Sequence, residues 1–272
     1  MKRTSQRNHW EKFWGEKAQG GGVQEVYSNA DRVLRNLLSV TDLTRKHVLE
    51  VGAGTGRDSF QLIGEGAVVY QLDYAENSLR ILRAHAQELG VSVSLVRGDA
   101  LALPFRDGSF DVVFHQGLLE HFQPSIAEAL LRENVRVLKP NGYLLVDVPQ
   151  RYHLYTVVKH VLIALGVWFA GWEREFSINE LKRIAEKSGV TVVHRYGEWM
   201  YPSFLYRMLR EMLKKFGVRL PLYPRIPLLS QLRRWIRQKL LHTPLPLYTG
   251  LSIGVIGKKY AGSASLPVAG RR

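Results

Sequence analysis

A short apolar segment that runs directly into a glycine-rich turn constrains this chain more than any other feature. The segment reads Val-Leu-Glu-Val-Gly-Ala-Gly-Thr-Gly-Arg over residues 48–57. Glycines at positions 52, 54 and 56 permit a tight turn and leave space for a ligand against the backbone. A helix that begins after such a turn can receive polar ligand groups on its free N–H groups. The pattern therefore predicts a strand, a turn and a helix that together bind a nucleotide-like ligand.

Four further segments have the composition of buried strands and follow in regular order. Residues 68–73 end in Asp73, and an acid at the tip of a second strand is placed to accept hydrogen bonds from ribose hydroxyls. A third segment ends in Asp99, a fourth at 110–121 passes into a helix, and a Pro-Asn-Gly turn leads into a fifth. Helical patterns between them cover 57–64, 76–89 and 124–138. Strands that alternate with helices in this way predict a parallel sheet with helices on both faces.

Taken together, these segments resemble the class I S-adenosylmethionine-dependent methyltransferases, in particular their small-molecule branch with a type 11-like domain. The residues that carry the resemblance keep the family's order within about 48–147: they are 50–56, Asp73, 98–100, 110–113, 119–121 and 138–142. The resemblance implies an α/β, Rossmann-like fold with a seven-stranded sheet. Strand patterns at 190–196 and 251–259 supply the sixth and seventh strands, and a helical pattern at 177–188 precedes them. In the family topology the last strand is antiparallel and lies between the fifth and the sixth.

A nicotinamide or flavin cofactor is the alternative that a glycine turn leaves open. The dinucleotide fingerprint Gly-x-Gly-x-x-Gly needs a third glycine three positions after the second. That position is Arg57, and the additional glycine is Gly56. The form Gly-Ala-Gly-Thr-Gly is the one that the resembled family uses, so the turn favours S-adenosyl-L-methionine.

The resemblance also implies roles for individual residues. Glu50 and the turn would hold the methionine end of the cofactor, and Asp73 would take the ribose hydroxyls. Tyr74 would stack beside the adenine, Asp99 would accept from its amino group, and Ala100 would donate a backbone N–H to the ring. Residues just past the fourth strand would line the sulfonium region. The predicted cofactor-binding set is Glu50, Gly52, Ala53, Gly54, Gly56, Asp73, Tyr74, Asp99, Ala100, His115 and Gln116.

A general base is the least directly indicated part of the site. His121 follows the fourth strand, on the side that faces the acceptor in related enzymes, and imidazole titrates near neutral pH. His121 is therefore the first candidate and His115 the second, although a packed or capping histidine fits the same positions. The fourth strand runs into His-Gln-Gly-Leu, unlike the Asn-Pro-Pro-Tyr or Asp-Pro-Pro-Tyr signature of amino-group methylation. The nine histidines are scattered, and we predict no metal site.

Composition limits the compartment and the kind of partner. The chain has no cysteine, which excludes disulfides, thiolate metal sites and a cysteine nucleophile. Its first ten residues have no apolar run behind their basic side chains, so we expect no secretory signal and a cytoplasmic protein. The net charge of +14 is uneven: residues 1–150 carry 17 Lys and Arg against 18 Asp and Glu, and residues 151–272 carry 21 against 6. This asymmetry indicates a membrane surface or nucleic acid as partner, unless the basic surface only aids solubility.

The excess charge is concentrated in two amphipathic helical patterns at 201–248. Each pattern has one apolar stripe, and 10 Lys or Arg stand against a single Glu. Basic amphipathic helices are typical of interfacial membrane binding; a cap that buries its stripe on the domain and a nucleic-acid grip are the alternatives. A second apolar stretch, at 157–170, is too short for a bilayer span of roughly 20 residues. It is either a buried helix over the active site or a segment in the lipid interface.

These patterns divide the chain into five parts. We expect a helical lid at 1–46, in which Trp10 and Trp14 simply pack. The other parts are a cofactor-binding core at 47–200, the basic insertion at 201–248, the final core strand at 249–260 and a disordered tail at 261–272.

The function that follows is methyl transfer from S-adenosylmethionine to an oxygen, or in second place a carbon, of a small-molecule acceptor. The apolar stretch and the insertion favour a lipophilic acceptor, free or lipid-linked, and a peripheral position at the inner face of the membrane, on an anionic surface. Nucleic acid is the less favoured partner. Two alternatives stay open: an RNA methyltransferase that grips its substrate with the insertion, and a non-catalytic scaffold that binds the cofactor.

Overall fold

The computed structural model describes residues 7–19, 31–166, 172–199, 202–221 and 227–261. The glycine run at 20–22 and all but the first residue of the tail predicted at 261–272 lie outside these ranges. Within them, strands and helices alternate in the order that the sequence predicts.

A seven-stranded sheet forms the centre of the described structure. Its strands β1 to β7 are His47–Val51, Val68–Asp73, Ser94–Arg97, Phe110–Gln116, Leu138–Pro149, Thr191–Glu198 and Ser252–Lys258. They lie in the order β3-β2-β1-β4-β5-β7-β6. The pairs from β3 to β5 are parallel, whereas β7 is antiparallel to both β5 and β6. The predicted Rossmann-like sheet, with its last strand between the fifth and the sixth, is confirmed.

Helices cover both faces of this sheet. Among the described residues, α1 to α10 are Arg7–Gln19, Arg32–Leu38, Arg57–Ile63, Glu76–Leu89, Pro124–Val137, Leu154–Ala164, Ile178–Lys187, Phe204–Lys215, Pro227–Leu241 and Leu245–Thr249. Successive side chains of a strand point to opposite faces. Leu49 therefore joins the core that α5 and α7 cover, and its neighbour Val48 joins the core that α2 and α3 cover.

The strand order determines where a ligand can lie. The chain winds from β1 outward to β3, then returns to place β4 on the other side of β1. In an open parallel sheet, such a reversal opens a crevice beyond the carboxyl ends of the strands. The glycine turn after β1 and the segments after β2, β3 and β4 therefore converge at one edge.

Two local details differ from the prediction. The segment after β4 is a short 3-10 turn at Leu119–His121, because Gly117 turns the chain with φ 68° and Pro124 starts α5 only afterwards. The Pro-Asn-Gly sequence lies within β5. There Asn141 has φ 65° and the pairing with β4 shifts register between Phe110 and Val112, so the turn is absorbed as an irregularity of the strand.

The apolar stretch predicted at 157–170 forms α6, and its last four residues lie outside the described ranges. Val157 and Val161 are exposed on α6, whereas Thr156 and Lys159 are buried. α6 is therefore an amphipathic helix whose apolar side faces outward, not a buried helix. In the described parts of the chain, no helix has the length and apolarity needed to cross a bilayer.

The insertion also turns its apolar stripe outward. Leu205 and Met212 on α8 are exposed, Phe216 just beyond α8 is 77% exposed, and Trp235 on α9 is 58% exposed. A cap would bury these side chains against the sheet and its helices. The described residues therefore do not have the arrangement of a plain cap.

Polar contacts, rather than the stripe, attach the insertion to the rest of the protein. Within the insertion, Arg207 on α8 is buried, and its Nε donates to the carbonyl of Pro202 at 3.1 Å, a contact that orients α8 but does not join it to the core. On α9, Arg237 donates to the buried carboxylate of Glu198 at the end of β6. Arg35 on α2 donates to the other oxygen of the same carboxylate. Glu198 thereby links α9 to α2.

A buried charge cluster fixes α2 to the centre of the sheet. Nη2 of Arg32 lies 3.0 Å from Oδ1 of Asp147 near the end of β5, and the hydroxyl of Tyr196 donates to Oδ2 at 3.0 Å. All three side chains are buried. Burial raises the pKa of Asp147 to about 6, although Arg32 and the Tyr196 hydrogen bond act to lower it.

This pKa predicts a pH dependence of stability for Asp147→Asn. Because the folded pKa is raised, protonation of Asp147 favours the folded state, and that contribution is lost as pH rises through about 6. The free energy of unfolding of the wild type relative to the variant should fall by up to about 3 kcal/mol between about pH 4 and pH 6.5. Urea denaturation across this range measures it. A flat difference between the wild type and Asp147→Asn across this range would contradict the assignment.

Candidate functional site

A cavity of about 510 Å³ lies at the carboxyl ends of β1 to β4. Its wall includes residues that follow each of these strands, together with one residue from α1. The lining residues are Trp10, Gly52, Leu72, Asp73, Tyr74, Arg97, Gly98, Asp99, Ala100, Leu101, Leu118, His121 and Phe122. Six predicted site residues, Gly52, Asp73, Tyr74, Asp99, Ala100 and His121, are thus brought together on one wall. The predicted residues Glu50, Ala53, Gly54, Gly56, His115 and Gln116 are not part of that wall.

The glycine turn has little space for any side chain. Its glycines all have left-handed backbones, with φ of 69°, 56° and 68° at Gly52, Gly54 and Gly56. A Cβ on Gly56 would lie 2.4 Å from Nε2 of Gln71 and 2.6 Å from Cδ2 of Leu82. Gly52 therefore presents bare backbone to the cavity, and α3 begins immediately after Gly56.

Asp73 fastens this turn to the end of β2. Its Oδ2 accepts from the N–H of Gly54 at 2.9 Å, and its Oδ1 accepts from the N–H of Ala75 at 2.9 Å. Burial raises the pKa of Asp73, and the backbone N–H donors oppose the shift. Each carboxylate oxygen can accept two hydrogen bonds, so Asp73 retains acceptor capacity for hydroxyl groups in the cavity.

Glu50 lies beneath the turn and is buried. Ser59 on α3 donates to one of its carboxylate oxygens, and Nε2 of Gln71 donates to Oγ of Ser59 at 2.7 Å. Burial and the neighbouring Asp58 raise the pKa of Glu50 well above its usual range. A ligand ammonium nearby would compensate this buried acid, which is what the predicted role requires. Gln71, a polar residue in an apolar strand, is a supporting residue that the sequence analysis missed.

Asp99, Ala100 and Tyr74 border the β2–β3 end of the cavity. Oδ1 of Asp99 accepts from the N–H of Leu101 at 2.9 Å, and the carboxylate is exposed. The second carboxylate oxygen can therefore meet a ligand donor.

At the end of β4 and just after it lies a group of buried polar atoms without hydrogen-bond partners in the described structure. They are Nδ1 and Nε2 of His115, Oε1 of Gln116, Oε2 of Glu120 and Nδ1 of His121. Buried polar atoms are normally paired, and unpaired ones beside a cavity mark a place that can receive polar ligand groups. Burial lowers the pKa of His115 to about 3 and also lowers the pKa of His121, although Glu173 and a backbone hydrogen bond with Trp172 act to raise the latter.

A buried lysine and its acids adjoin this group. Nζ of Lys159 on α6 lies 2.7 Å from Glu173 and 2.6 Å from Glu175, and all three side chains are buried. Burial and the neighbouring Glu173 raise the pKa of Glu120, whereas Lys159 lowers it. The sequence analysis missed this cluster. Its signal is a lysine inside an apolar stretch, followed by Glu-Arg-Glu at 173–175.

A match to a known family agrees with the fold and the glycine turn. A family model described as a methyltransferase domain matches residues 48–142. Residues 48–142 are a class I S-adenosylmethionine-dependent methyltransferase domain. The residues that this methyltransferase domain contributes to the cavity follow β1 to β4, and its family's cofactor is S-adenosyl-L-methionine.

Individual relatives resemble different lengths of the chain. The demethylmenaquinone methyltransferase of Lactococcus lactis is 34% identical over 148 residues, which are 50% of this chain and 57% of that protein. The ubiquinone biosynthesis O-methyltransferase of Cupriavidus pinatubonensis is 28% identical over 179 residues, 63% of this chain and 71% of that protein. The chain thus spans little more than half the length of the first relative.

A solved structure of Thermotoga maritima resembles more of the chain. It is an S-adenosylmethionine-dependent methyltransferase, described as a possible histamine N-methyltransferase. It matches with a TM-score of 0.60 and 19% identity, covering 93% of this chain and 100% of that one. At this identity the likeness shows the fold alone.

Two glycine substitutions should separate backbone strain from steric conflict in the methyltransferase domain. Gly56→Ala and Gly90→Ala both place alanine at positive φ, 68° and 64°, but a Cβ on Gly90 would meet nothing within 4 Å. Gly90→Ala should therefore cost about 1–2 kcal/mol of unfolding free energy from backbone strain alone. Gly56→Ala should cost about 1–3 kcal/mol more, because its Cβ must displace buried side chains. Urea denaturation compares them, and equal losses would contradict a tightly packed turn.

Proposed function

We propose that this protein transfers a methyl group from S-adenosylmethionine to an oxygen, or in second place a carbon, of a small lipophilic acceptor. The observation that carries the proposal is the composition of one cavity. Asp73 and Asp99 border its β2–β3 end, and His121 borders its wall beyond β4. A nucleoside and a proton acceptor can thus be held in the same space.

The chain's own residues would hold the cofactor in the order of its strands. When bound, S-adenosylmethionine supplies an electrophilic methyl group on a positively charged sulfur. Asp99 and Ala100 would take the adenine, with Tyr74 beside it, and Asp73 would accept from the ribose hydroxyls. The buried acid of Glu50 would face the ammonium of the methionine part through the bare glycine turn. Positioning of donor and acceptor in line supplies much of the acceleration in such a reaction.

His121 is the residue that we assign to proton removal from a hydroxyl acceptor. It lines the cavity, Nδ1 has no hydrogen-bond partner in the described structure, and burial lowers its pKa, which keeps the imidazole neutral at pH 7. A neutral imidazole can accept a proton. His115 is the weaker candidate, because it is fully buried and does not line the cavity.

Two kinds of observation support a lipophilic acceptor. Leu118 and Phe122 give the cavity apolar wall beside His121. The two quinone-related relatives carry names that refer to demethylmenaquinone and to ubiquinone biosynthesis. A ring-hydroxylated quinol is therefore the acceptor class that we would offer first.

The activity is tested by transfer of labelled methyl from S-adenosylmethionine to a ring-hydroxylated quinol in detergent. His121→Gln should lower kcat by about 10²–10⁴-fold, the usual contribution of a general base, while calorimetry shows that the cofactor still binds. His242→Gln, an exposed position after α9, is the matched control and should leave kcat unchanged. Full activity in His121→Gln would show that His121 is not the general base. Absence of cofactor binding by the folded wild type would remove the proposed function.

We also propose that the apolar faces of α8 and α9 dock on an anionic membrane surface. The exposed stripe offers side chains for the acyl boundary. The segment 201–248 has 10 Lys or Arg against one Glu; Arg207 and Arg237 are already bound to Pro202 and Glu198, and the remaining excess of positive charge is complementary to anionic headgroups. Each basic residue near such a surface contributes about 1 kcal/mol. A lipid-linked or lipid-dissolved acceptor would then reach the protein at the interface.

Vesicle sedimentation tests this docking surface. Met212→Glu combined with Trp235→Glu should weaken binding to phosphatidylglycerol vesicles by about tenfold or more, because two exposed apolar anchors are lost and the charge becomes less positive. Leu89→Glu, which charges an equally exposed apolar residue on α4, is the matched control and should bind as the wild type does. Equal binding by both variants would contradict the proposal. Steeply salt-dependent binding of RNA without vesicle binding would assign the insertion to nucleic acid instead.

A further inference from the structure

The N-terminal helix α1 contributes aromatic side chains to the cofactor cavity. Trp10 lines the cavity, and its ring lies 4.9 Å from the ring of His121 at an interplanar angle of 73°. Trp14, one helical turn later, stacks near Trp10 with ring centroids 6.4 Å apart. Its indole also covers the turn, because a Cβ on Gly54 would lie 2.8 Å from its Cζ2. The two indoles therefore stand over the glycine turn and the region beyond β4.

Contacts with α4 set the position of α1. Nδ2 of Asn77 donates to the carbonyl of Glu11 at 3.0 Å, and Gly15 lets the helix approach the same asparagine, whose Nδ2 would lie 3.0 Å from a Cβ there. This anchoring holds Trp10 against His121 independently of any ligand.

The strand order places Trp10 at the end of the cavity where the sulfur of the cofactor would lie. The cavity runs across β3, β2, β1 and β4, three inter-strand gaps of about 4.8 Å each. Asp99 and Asp73 mark the β3–β2 side, so a cofactor with its nucleoside there extends its sulfonium toward β1 and β4. Trp10, Leu118 and His121 line that side.

Among the described residues, the cavity wall around Trp10 has no charged side chain that could attract the positively charged sulfur of the cofactor. The lining side chains there are aromatic or aliphatic apart from His121, which burial keeps neutral at pH 7. A cation close to an indole is attracted by the quadrupole of the ring, most strongly when water is excluded. The sulfur of S-adenosylmethionine carries such a positive charge, whereas the sulfur of the product S-adenosylhomocysteine does not.

From this arrangement we infer that Trp10 is a specificity-determining residue that distinguishes the charged cofactor from its neutral product. The inference rests on the proposed cofactor. It gives α1 a selective role: the helix covers the cavity and also favours the reactant, so that the product is held less tightly once the charge has left the sulfur. Trp14 supports the wall through its contact with Trp10 and the turn.

Calorimetric titration with S-adenosylmethionine and, separately, with S-adenosylhomocysteine tests the inference without any turnover. Trp10→Leu should weaken S-adenosylmethionine binding by about 5- to 30-fold, the range that a cation–π contact spans, and should weaken S-adenosylhomocysteine binding by no more than about half as many decades. Phe13→Leu is the matched control, because Phe13 belongs to the same aromatic cluster on α1 but does not line the cavity. It should leave the ratio of the two affinities unchanged.

A second measurement uses the wild type alone, which guards against a variant that does not fold. An analogue with a tertiary amine in place of the sulfur should bind more weakly as pH rises and its amine loses the proton, relative to S-adenosylhomocysteine over the same range. Equal loss of both ligands in Trp10→Leu, or identical pH profiles of the two ligands in the wild type, would overturn the inference and leave α1 as a plain lid. If the folded wild type bound neither S-adenosylmethionine nor its product, the proposed function itself would fall and this inference with it.

Discussion

The two hydrogen bonds that Asp73 accepts from Gly54 and Ala75 are the interaction on which the site depends. The bond from Gly54 joins the turn after β1 to the end of β2, and the bond from Ala75 orients the same carboxylate from the segment that follows β2. The backbone of the turn therefore cannot move without breaking a buried hydrogen bond to Asp73. The hydroxyl of Ser78 adds a third hydrogen bond by donating to the carbonyl of Gly54 at 2.8 Å. A carboxylate that already accepts two backbone N–H groups is rigidly oriented, and rigid orientation is what a ribose-binding acid needs. The same atoms thus close the fold and present the cofactor cavity.

Buried charged groups are paired with opposite charges in one part of the described structure and lack such close pairing near the turn and the end of β4. Away from the cavity wall, charges are paired: Arg32 with Asp147, and Lys159 with Glu173 and Glu175. Such pairs stabilise a fold only when both members are present, since the loss of one leaves the other desolvated. Near the turn and beyond β4 the acids Glu50 and Glu120 are buried with raised pKa. Burial of these two carboxyl groups carries a desolvation penalty. A bound ligand with a positive or hydrogen-bonding group nearby would reduce that penalty.

Local patterns allowed the sequence to predict the sheet and half of the cavity wall. The glycine turn, Asp73 and Asp99 each lie next to a strand end, so their positions follow from strand order once the alternation is recognised. The contact between Trp10 and His121 could not be predicted in this way, because it joins two segments separated by the whole of β1 to β4. The outward orientation of the insertion was equally inaccessible. An amphipathic pattern predicts a stripe but not whether a domain or another surface covers it.

The insertion shows how an amphipathic helix can remain attached while its apolar face stays open. Helices of a compact domain are usually held by burial of that face. Here Arg237 of α9 shares the carboxylate of Glu198 with Arg35 of α2, and within the insertion Arg207 donates to the backbone of Pro202. Glu198 is nearly fully buried, so both arginines compensate its charge, and the loss of either one would weaken that compensation. If a surface bound the apolar stripe of α9 and displaced this helix, it would therefore also disturb the Glu198 carboxylate that binds Arg35 of α2. From α2 the path continues through Arg32 and Asp147 to the end of β5, the strand that pairs with β4. A short series of ion pairs thus connects α9, through α2, to the carboxyl end of β5.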